Sequence, residues 1–278
     1  MKTQKLDKST KPTATGTATE NFPWTAIDHL AERREKVIVV RDLVKKFGSF
    51  TANDQLNFDV YKGEIFGFLG ANGAGKTTAM RILCGLSSPT SGDITVGGFD
   101  VYKQTEQIKR NIGYMSQKFS LYEDMTIAEN IRFYAGIYGI SVKQRKQKEN
   151  ELLKKLQLES ERNKLIADLP LGWKQKLAFS IAIFHDPQIV FLDEPTGGVD
   201  PITRRQFWDF IYEAAAEGKT IFVTTHYMDE AEYCNRVSIM VDGRIAALDT
   251  PENLKKQFQS EDMNGVFLKL ARDATNGD

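Results

Sequence analysis

Eight consecutive residues, Gly70-Ala71-Asn72-Gly73-Ala74-Gly75-Lys76-Thr77, follow the spacing GxxxxGK[ST], the pattern of a loop that cradles phosphates. Glycines let successive backbone N–H groups turn inward as an anion nest, which side chains at those positions would obstruct. An apolar run, Ile65 to Leu69, precedes the loop, and a helical pattern, Lys76 to Leu86, follows it. That helix, whose first turn also holds Thr78, points the positive end of its dipole at the phosphates. Lys76 is placed to reach the terminal phosphates and Thr77 to offer a hydroxyl to magnesium. The ligand implied is a nucleoside triphosphate.

A second constellation follows downstream. The run Ile189-Val190-Phe191-Leu192 is apolar and ends in Asp193-Glu194-Pro195, and the carboxyl end of a parallel strand is where such sheets place ligands. Asp193 is expected in the magnesium shell, and Glu194 is expected to polarise or deprotonate the attacking water, because phosphoryl transfer depends on positioning and charge neutralisation. Of the three histidines, only His226 follows an apolar strand pattern, Ile221 to Thr224, from which it could contact a terminal phosphate.

Several function classes are weakened by composition. The 37 basic and 37 acidic residues cancel, so the chain lacks the overall basic footprint of a nucleic-acid binder, and no nucleic acid is expected. Cys84 and Cys234 stand far apart without metal-ligand spacing, which argues against a disulfide framework or zinc site and for two small buried apolar residues. No window approaches the ~18 uninterrupted apolar residues of a membrane-spanning helix. The N-terminus begins basic but has no apolar segment resembling a secretory signal.

The elements that must position these groups are legible in outline. Residues 1 to about 21 are rich in Thr, Lys, Ser and Ala and are expected to be disordered; residues 22–36 read as a loosely docked lead-in. Short apolar runs at Val37–Val40, Leu56–Val60 and Ile65–Leu69 read as strands. Helical patterns dominate 104–184, notably Val142 to Leu158, and suggest a separable helical lobe. Strand patterns at Gln188–Leu192 and Thr220–Thr224 alternate with helical ones at Pro201–Ala215 and near Met228, so the fold class is α/β with a parallel sheet. Asp242-Gly243 joins two short runs as a hairpin, and Thr250-Pro251-Glu252 opens a helix.

Taken together, the motifs resemble those of the nucleotide-binding subunit of the ATP-binding cassette family over about residues 37–250. By that resemblance Phe47, in Lys46-Phe47-Gly48, stacks on adenine, Gln117 joins the magnesium shell, Asp200 lies in the loop that communicates across a dimer, and His226 is the switch histidine. The signature motif, normally Leu-Ser-Gly-Gly-Gln, is matched by Leu169-Pro170-Leu171-Gly172-Trp173 before Lys174. Pro170 replaces the serine hydroxyl and Leu171 the first glycine, which leaves Gly172 and the N–H groups of a helix beginning near Trp173 to bind phosphate in trans.

The resemblance implies a P-loop NTPase core with a mainly parallel sheet, an antiparallel β subdomain and a helical subdomain at about 118–185. Beyond the span of the resemblance, the helix opened at Thr250-Pro251-Glu252 makes 251–278 a C-terminal helix and tail. The expected activity is ATP hydrolysis with Mg2+ in a head-to-tail pair with an identical or similar ATPase subunit. A separate membrane permease is the expected partner, at the cytoplasmic face of the cell membrane. The signature variant and the stretches Lys118 to Met125 and Tyr227 to Glu232 resemble a subgroup that exports drugs or other hydrophobic compounds. The alternative is a soluble cassette ATPase acting on nucleic acid, the ribosome or protein assembly, although the chain has neither a second cassette nor a long coiled-coil insertion.

Overall fold

In the computed structural model, residues 35–118 and 120–276 are described. The expectations for 1–34 lie outside them. A long hairpin opens the described chain: β1 (Lys36–Phe47) pairs antiparallel with β2 (Phe50–Tyr61). With β4 (Ser91–Val96) and β5 (Phe99–Asp100) it forms a four-stranded sheet in the order β2-β1-β4-β5. Burial alternates along β1 and β2, as in a sheet with one covered face.

The second sheet has the order β10-β9-β3-β8-β7-β6. It comprises β3 (Ile65–Gly70), β6 (Ile112–Met115), β7 (Ile189–Asp193), β8 (Thr220–Thr225), β9 (Arg236–Val241) and β10 (Arg244–Asp249). All neighbours are parallel except β9 and β10, which are joined by Asp242 and Gly243, both at positive φ. That backbone matches the hairpin turn expected of Asp-Gly. Every residue of β3, β7 and β8 is buried, which explains why these strands read as continuous apolar runs rather than alternations.

Two cores cover the parallel sheet. On one side Phe58 of β2 stacks on Phe66 at 5.7 Å, and Phe68, Phe191 and Phe222 pack within the same aromatic group. These rings join the two sheets. On the other side α6 (Pro201–Ala216) buries Phe207, Trp208 and Ile211, while α7 (Pro251–Gln257) adds Leu254 and α8 (Met263–Asn276) adds Met263, Val266 and Leu270 to that core. Cys84 and Cys234 are free and buried, as their sequence setting suggests.

A third core belongs to the helices α3 (Ile127–Ile137), α4 (Val142–Lys155) and α5 (Leu171–Ala182). Thr126 and Glu129 form a reciprocal capping box at the start of α3, satisfying two otherwise orphaned donors. Glu149 of α4, almost fully buried, receives both Arg132 and Arg162. Among the described residues no helix is long and apolar enough to cross a membrane.

Four local expectations change. Residues 104–184 are not wholly helical: after α2 (Thr105–Asn111) comes β6, whose four residues are too few to show a period. The helix expected near Met228 is a tighter 3-10 segment, Met228–Tyr233. The signature helix begins at Leu171 rather than near Trp173, because Pro170 already takes the extended N-cap conformation and proline's fixed φ suits a helix start. Finally, α1 (Lys76–Leu83) stops short of Leu86, and Gly85 at φ +67° turns the chain away.

Candidate functional site

The loop after β3 and the end of β7 meet because β3 and β7 both pair with β8, in parallel register. Gly75 caps α1 at φ +98°, and a Cβ there would lie 2.3 Å from the carbonyl oxygen of Ala52. No other residue fits that position without moving β2. Asn53 of β2, fully buried, donates to the Gly75 carbonyl at 3.1 Å and holds the turn from outside.

Lys76 is buried, and its ammonium donates to the carbonyls of Gly70 at 2.8 Å and Ala71 at 3.1 Å, with Glu194 Oε1 at 3.5 Å. Burial lowers its pKa from the ordinary lysine value, against the pull of Glu194 and Asp193. Thr77 Oγ1 and Thr224 Oγ1 both donate to Asp193 Oδ1, at 3.1 and 2.7 Å. Burial pushes the Asp193 carboxyl upward, and these two hydroxyls oppose it. The neighbouring Tyr114 phenol is pushed up to about 12 by burial and by Asp193.

Glu194 is turned out of the strand by a left-handed backbone, φ +45°, fixed by hydrogen bonds from its N–H to Thr224. A non-glycine residue at positive φ costs energy and persists only where its surroundings impose it. The turn brings Glu194 Oε2 to Gln117 Nε2 and His226 Nδ1, each at 3.1 Å. One carboxylate therefore meets the loop lysine, the glutamine after β6 and the histidine after β8.

Gln117, Lys76, Thr77, Thr78 and Glu194 line one cleft of about 460 Å3, together with Asn72, Gly73 and Gly75 of the loop. Its outer wall is Phe47, 55% exposed, and Phe50, 62% exposed, from the two sides of the β1–β2 turn. Ala74 faces inward, and a Cβ on Gly70 would meet the Met240 carbonyl at 2.6 Å. The structure thus assembles all the expected residues of the phosphate loop with Phe47, Gln117, Asp193, Glu194 and His226.

The signature residues lie elsewhere. Leu169 is buried, Pro170 caps α5, Leu171 is 41% exposed, and Lys174 pairs with Glu123 at 2.8 Å. The ring of Trp173 lies under the Lys176 ammonium. A Cβ on Gly172 would meet Thr203 at 2.6 Å, so this turn sits against the start of α6. Asp200 caps that same helix through the N–H groups of Ile202 and Thr203, each at 3.0 Å. Neither Asp200 nor any of Leu169 to Lys174 lines the cleft of their own chain.

Four positioning groups were not singled out in the sequence: Asn53, Thr224, Phe50 and Asn130. Asn130 is fully buried and grips both the N–H and the carbonyl of Tyr122, holding the segment that follows Gln117. A polar residue in an apolar helical face was its one available signal.

The family model for ABC transporters matches residues 53–197. The probable multidrug ABC transporter ATP-binding protein YbhF of Escherichia coli is 43% identical over 93% of this chain and 46% of its own length. Human retinal-specific phospholipid-transporting ATPase ABCA4 is 38% identical over 86% of the chain and 10% of its own. The chain therefore spans less than half the length of these relatives. A solved ATP-binding subunit of an ABC transporter superposes with a TM-score of 0.76, at 29% identity over 84% of this chain and 99% of that one. A dimeric cassette in a post-hydrolysis state with ADP and Pi gives 0.69, at 25% identity over 77% and 98%. The cleft geometry and these similarities lead to one conclusion: the chain belongs to the ABC transporter family, as an ATP-binding and ATP-hydrolysing domain.

Proposed function

We propose that this domain powers the export of drugs or other hydrophobic compounds through a membrane permease, by closing on ATP as a head-to-tail pair. The observation that carries the mechanism is the Glu194 carboxylate, which faces the loop lysine at 3.5 Å and is oriented by Gln117 and His226 at 3.1 Å. A carboxylate so held can take a proton from an attacking water or align it for in-line attack. Lys76 and the N–H groups after Gly73 would carry the charge of the terminal phosphates, and Phe47 would stack on the base. His226 would hold Glu194 and the terminal phosphate in register.

The residues fit Mg2+. Among the described residues no group of three or more His, Cys, Asp and Glu could hold a metal by itself, but Mg2+ is commonly held by one or two protein oxygens together with substrate phosphates and water. Thr77 and Asp193, already in contact, and Gln117 would hold it. Bound there, it would neutralise charge on the transferring phosphate.

The signature turn and Asp200 lie together outside the chain's own cleft, with Gly172 against Thr203 and Leu171 against Gly198, while Leu169 is buried beneath them. That placement supports their action on the ATP of a second, identical or similar ATPase subunit, as two-fold pairing would bring about. The permease would meet the surface near Gln117 to Tyr122 and hold the pair at the cytoplasmic face of the membrane. We read 37–250 as the ATPase domain and 118–185 as its helical lobe; the segment from 251, expected as one helix and a tail, holds two helices, Pro251–Gln257 and Met263–Asn276. The names of the relatives, multidrug and phospholipid-transporting, support an apolar or amphipathic cargo.

The test is Glu194→Gln in the full chain. The variant is expected to bind ATP, to lose turnover by about a hundredfold or more and to accumulate as an ATP-bound dimer in size-exclusion chromatography. Turnover at the parental rate would remove Glu194 as the base.

A further inference from the structure

Behind the cleft, Glu230 is fully buried in the 3-10 segment Met228–Tyr233. Nothing in the mechanism above uses it. Its Oε1 accepts the Thr196 hydroxyl at 2.5 Å, two residues after Glu194. The Arg204 guanidinium approaches the same oxygen at 3.7 Å from α6, one turn beyond the Asp200 cap. Thr225, next to His226 at the end of β8, and Trp208 of α6 also face the carboxylate. Arg204 is itself clasped: its guanidinium lies 3.9 Å over the Tyr227 ring, and Tyr227 in turn packs at 4.1 Å on His226.

The arrangement is poor for stability alone. Arg204 Nε reaches the carboxylate only at ion-pair distance, and Glu230 Oε2 and Trp208 Nε1 lie close without a well-formed hydrogen bond. Such half-satisfied groups are costly in an apolar setting, where a hydrophobic side chain of similar volume serves stability as well or better. Ala231, Cys234 and Trp208 would offer a leucine or methionine at 230 an apolar site. A carboxylate there has its use in what it links: the segment after the base, the strand end before the histidine, and the helix capped by Asp200.

We infer that Glu230 is a positioning residue for ATP hydrolysis, joining the Glu194 segment, the His226 strand end and the Asp200 end of α6 so that they move as one unit. This rests on the reading of Glu194 as the base. Through Thr196 the carboxylate restrains the backbone just beyond Glu194, and through Arg204 it ties that restraint to the loop facing a second subunit. The loose contacts of Arg204 and Trp208 with Glu230 can tighten when α6 shifts on pairing, which couples the dimer surface to the reacting carboxylate. Burial also pushes the Glu230 carboxyl upward, with Thr196, Thr225, Trp208 and Arg204 opposing it.

The experiment measures ATP turnover and equilibrium ATP binding in the full chain for Glu230→Gln, Thr196→Val, Arg204→Met and the Glu230→Gln/Arg204→Met pair, beside Glu194→Gln. Glu230→Gln and Thr196→Val are each expected to lower kcat by about ten- to a hundredfold, the scale of small misplacements at a reacting centre, with ATP affinity within about twofold of the parent. The double variant should lose less than the product of the single losses, because one linkage is broken twice. Thr196→Val removes only a hydroxyl and decides the matter if Glu230→Gln does not fold. A folded Glu230→Gln or Thr196→Val at the parental kcat, equal losses of kcat and affinity, or strictly multiplicative losses would each overturn the inference. If Glu194→Gln keeps full turnover, the base assignment fails and the inference fails with it; if Glu194→Gln is inactive while Glu230→Gln is not slowed, only the inference fails.

Discussion

Thr77 Oγ1 donates to Asp193 Oδ1 at 3.1 Å, joining the first turn of α1 to the end of β7 across 116 residues of chain. Both groups are hard oxygen donors of the kind Mg2+ prefers, and Thr224 holds the same carboxylate oxygen at 2.7 Å. Thr77→Val keeps the shape and removes the donor. Turnover should fall about ten- to a hundredfold, and its Mg2+ dependence should move to higher concentration. An unchanged Mg2+ titration would separate Thr77 from the metal.

The signature departure makes a second prediction. Pro170 has no hydroxyl to offer a phosphate, and Leu171 lies against the turn holding Gly198, where a Cβ on that glycine would be 3.7 Å from the Leu171 methyl. Pro170→Ser with Leu171→Gly should restore a trans contact and raise ATP turnover severalfold at about 1 kcal/mol per added hydrogen bond. No gain in turnover would count against slow hydrolysis by this route.

Adenine stacking is testable at the rim of the cleft. Phe47 is exposed, with the Lys45 ammonium 4.8 Å from its ring centre, so Phe47→Ala should cost little in folding. ATP affinity should fall about tenfold, since stacking a base on an aromatic ring contributes roughly 1–3 kcal/mol. Phe47→Tyr should restore it. Equal affinity for ATP in Phe47→Ala, measured by calorimetry, would release that ring from its role.

The stability of the chain should depend on pH through His185. Its ring stacks on Tyr138 at 3.7 Å, and burial lowers its pKa below the ordinary histidine value, with the hydrogen bond to the Ile112 carbonyl opposing that shift. The folded state thus prefers the neutral ring. Its contribution is complete above the unfolded value of about 6.5 and is lost as pH falls through the lower folded value. In urea titrations at pH 7.5 and 5.5, His185→Phe, which keeps the stack, should lose less stability on acidification than the parent. Equal losses would exclude this group.

Motifs that act through contiguous residues were open to reading along the chain. Gly70 to Thr77 needs only its spacing, and Ile189 to Leu192 announces a doubly covered strand by having no polar alternation. Gln117 and Phe47 required resemblance, since one glutamine or one phenylalanine carries no local period. β6 leaves no such mark, because four residues between helical patterns are too few to show a period. Asn53 and Asn130 stand alone as buried amides, and nothing nearby in the chain names the backbone groups they hold.

Residue order alone is enough for the phosphate loop, the paired carboxylates and the alternation that makes a parallel sheet, because backbone sterics and hydrophobic period act over a few neighbours. Long-range packing sets the turn of Glu194 at φ +45° toward Gln117, His226 and Lys76, and leaves the signature turn outside the cleft of its own chain. Those outcomes depend on strand order and on helices closing over the sheet, contacts between residues 32 to 118 positions apart. Local propensity carries no record of such distant pairings.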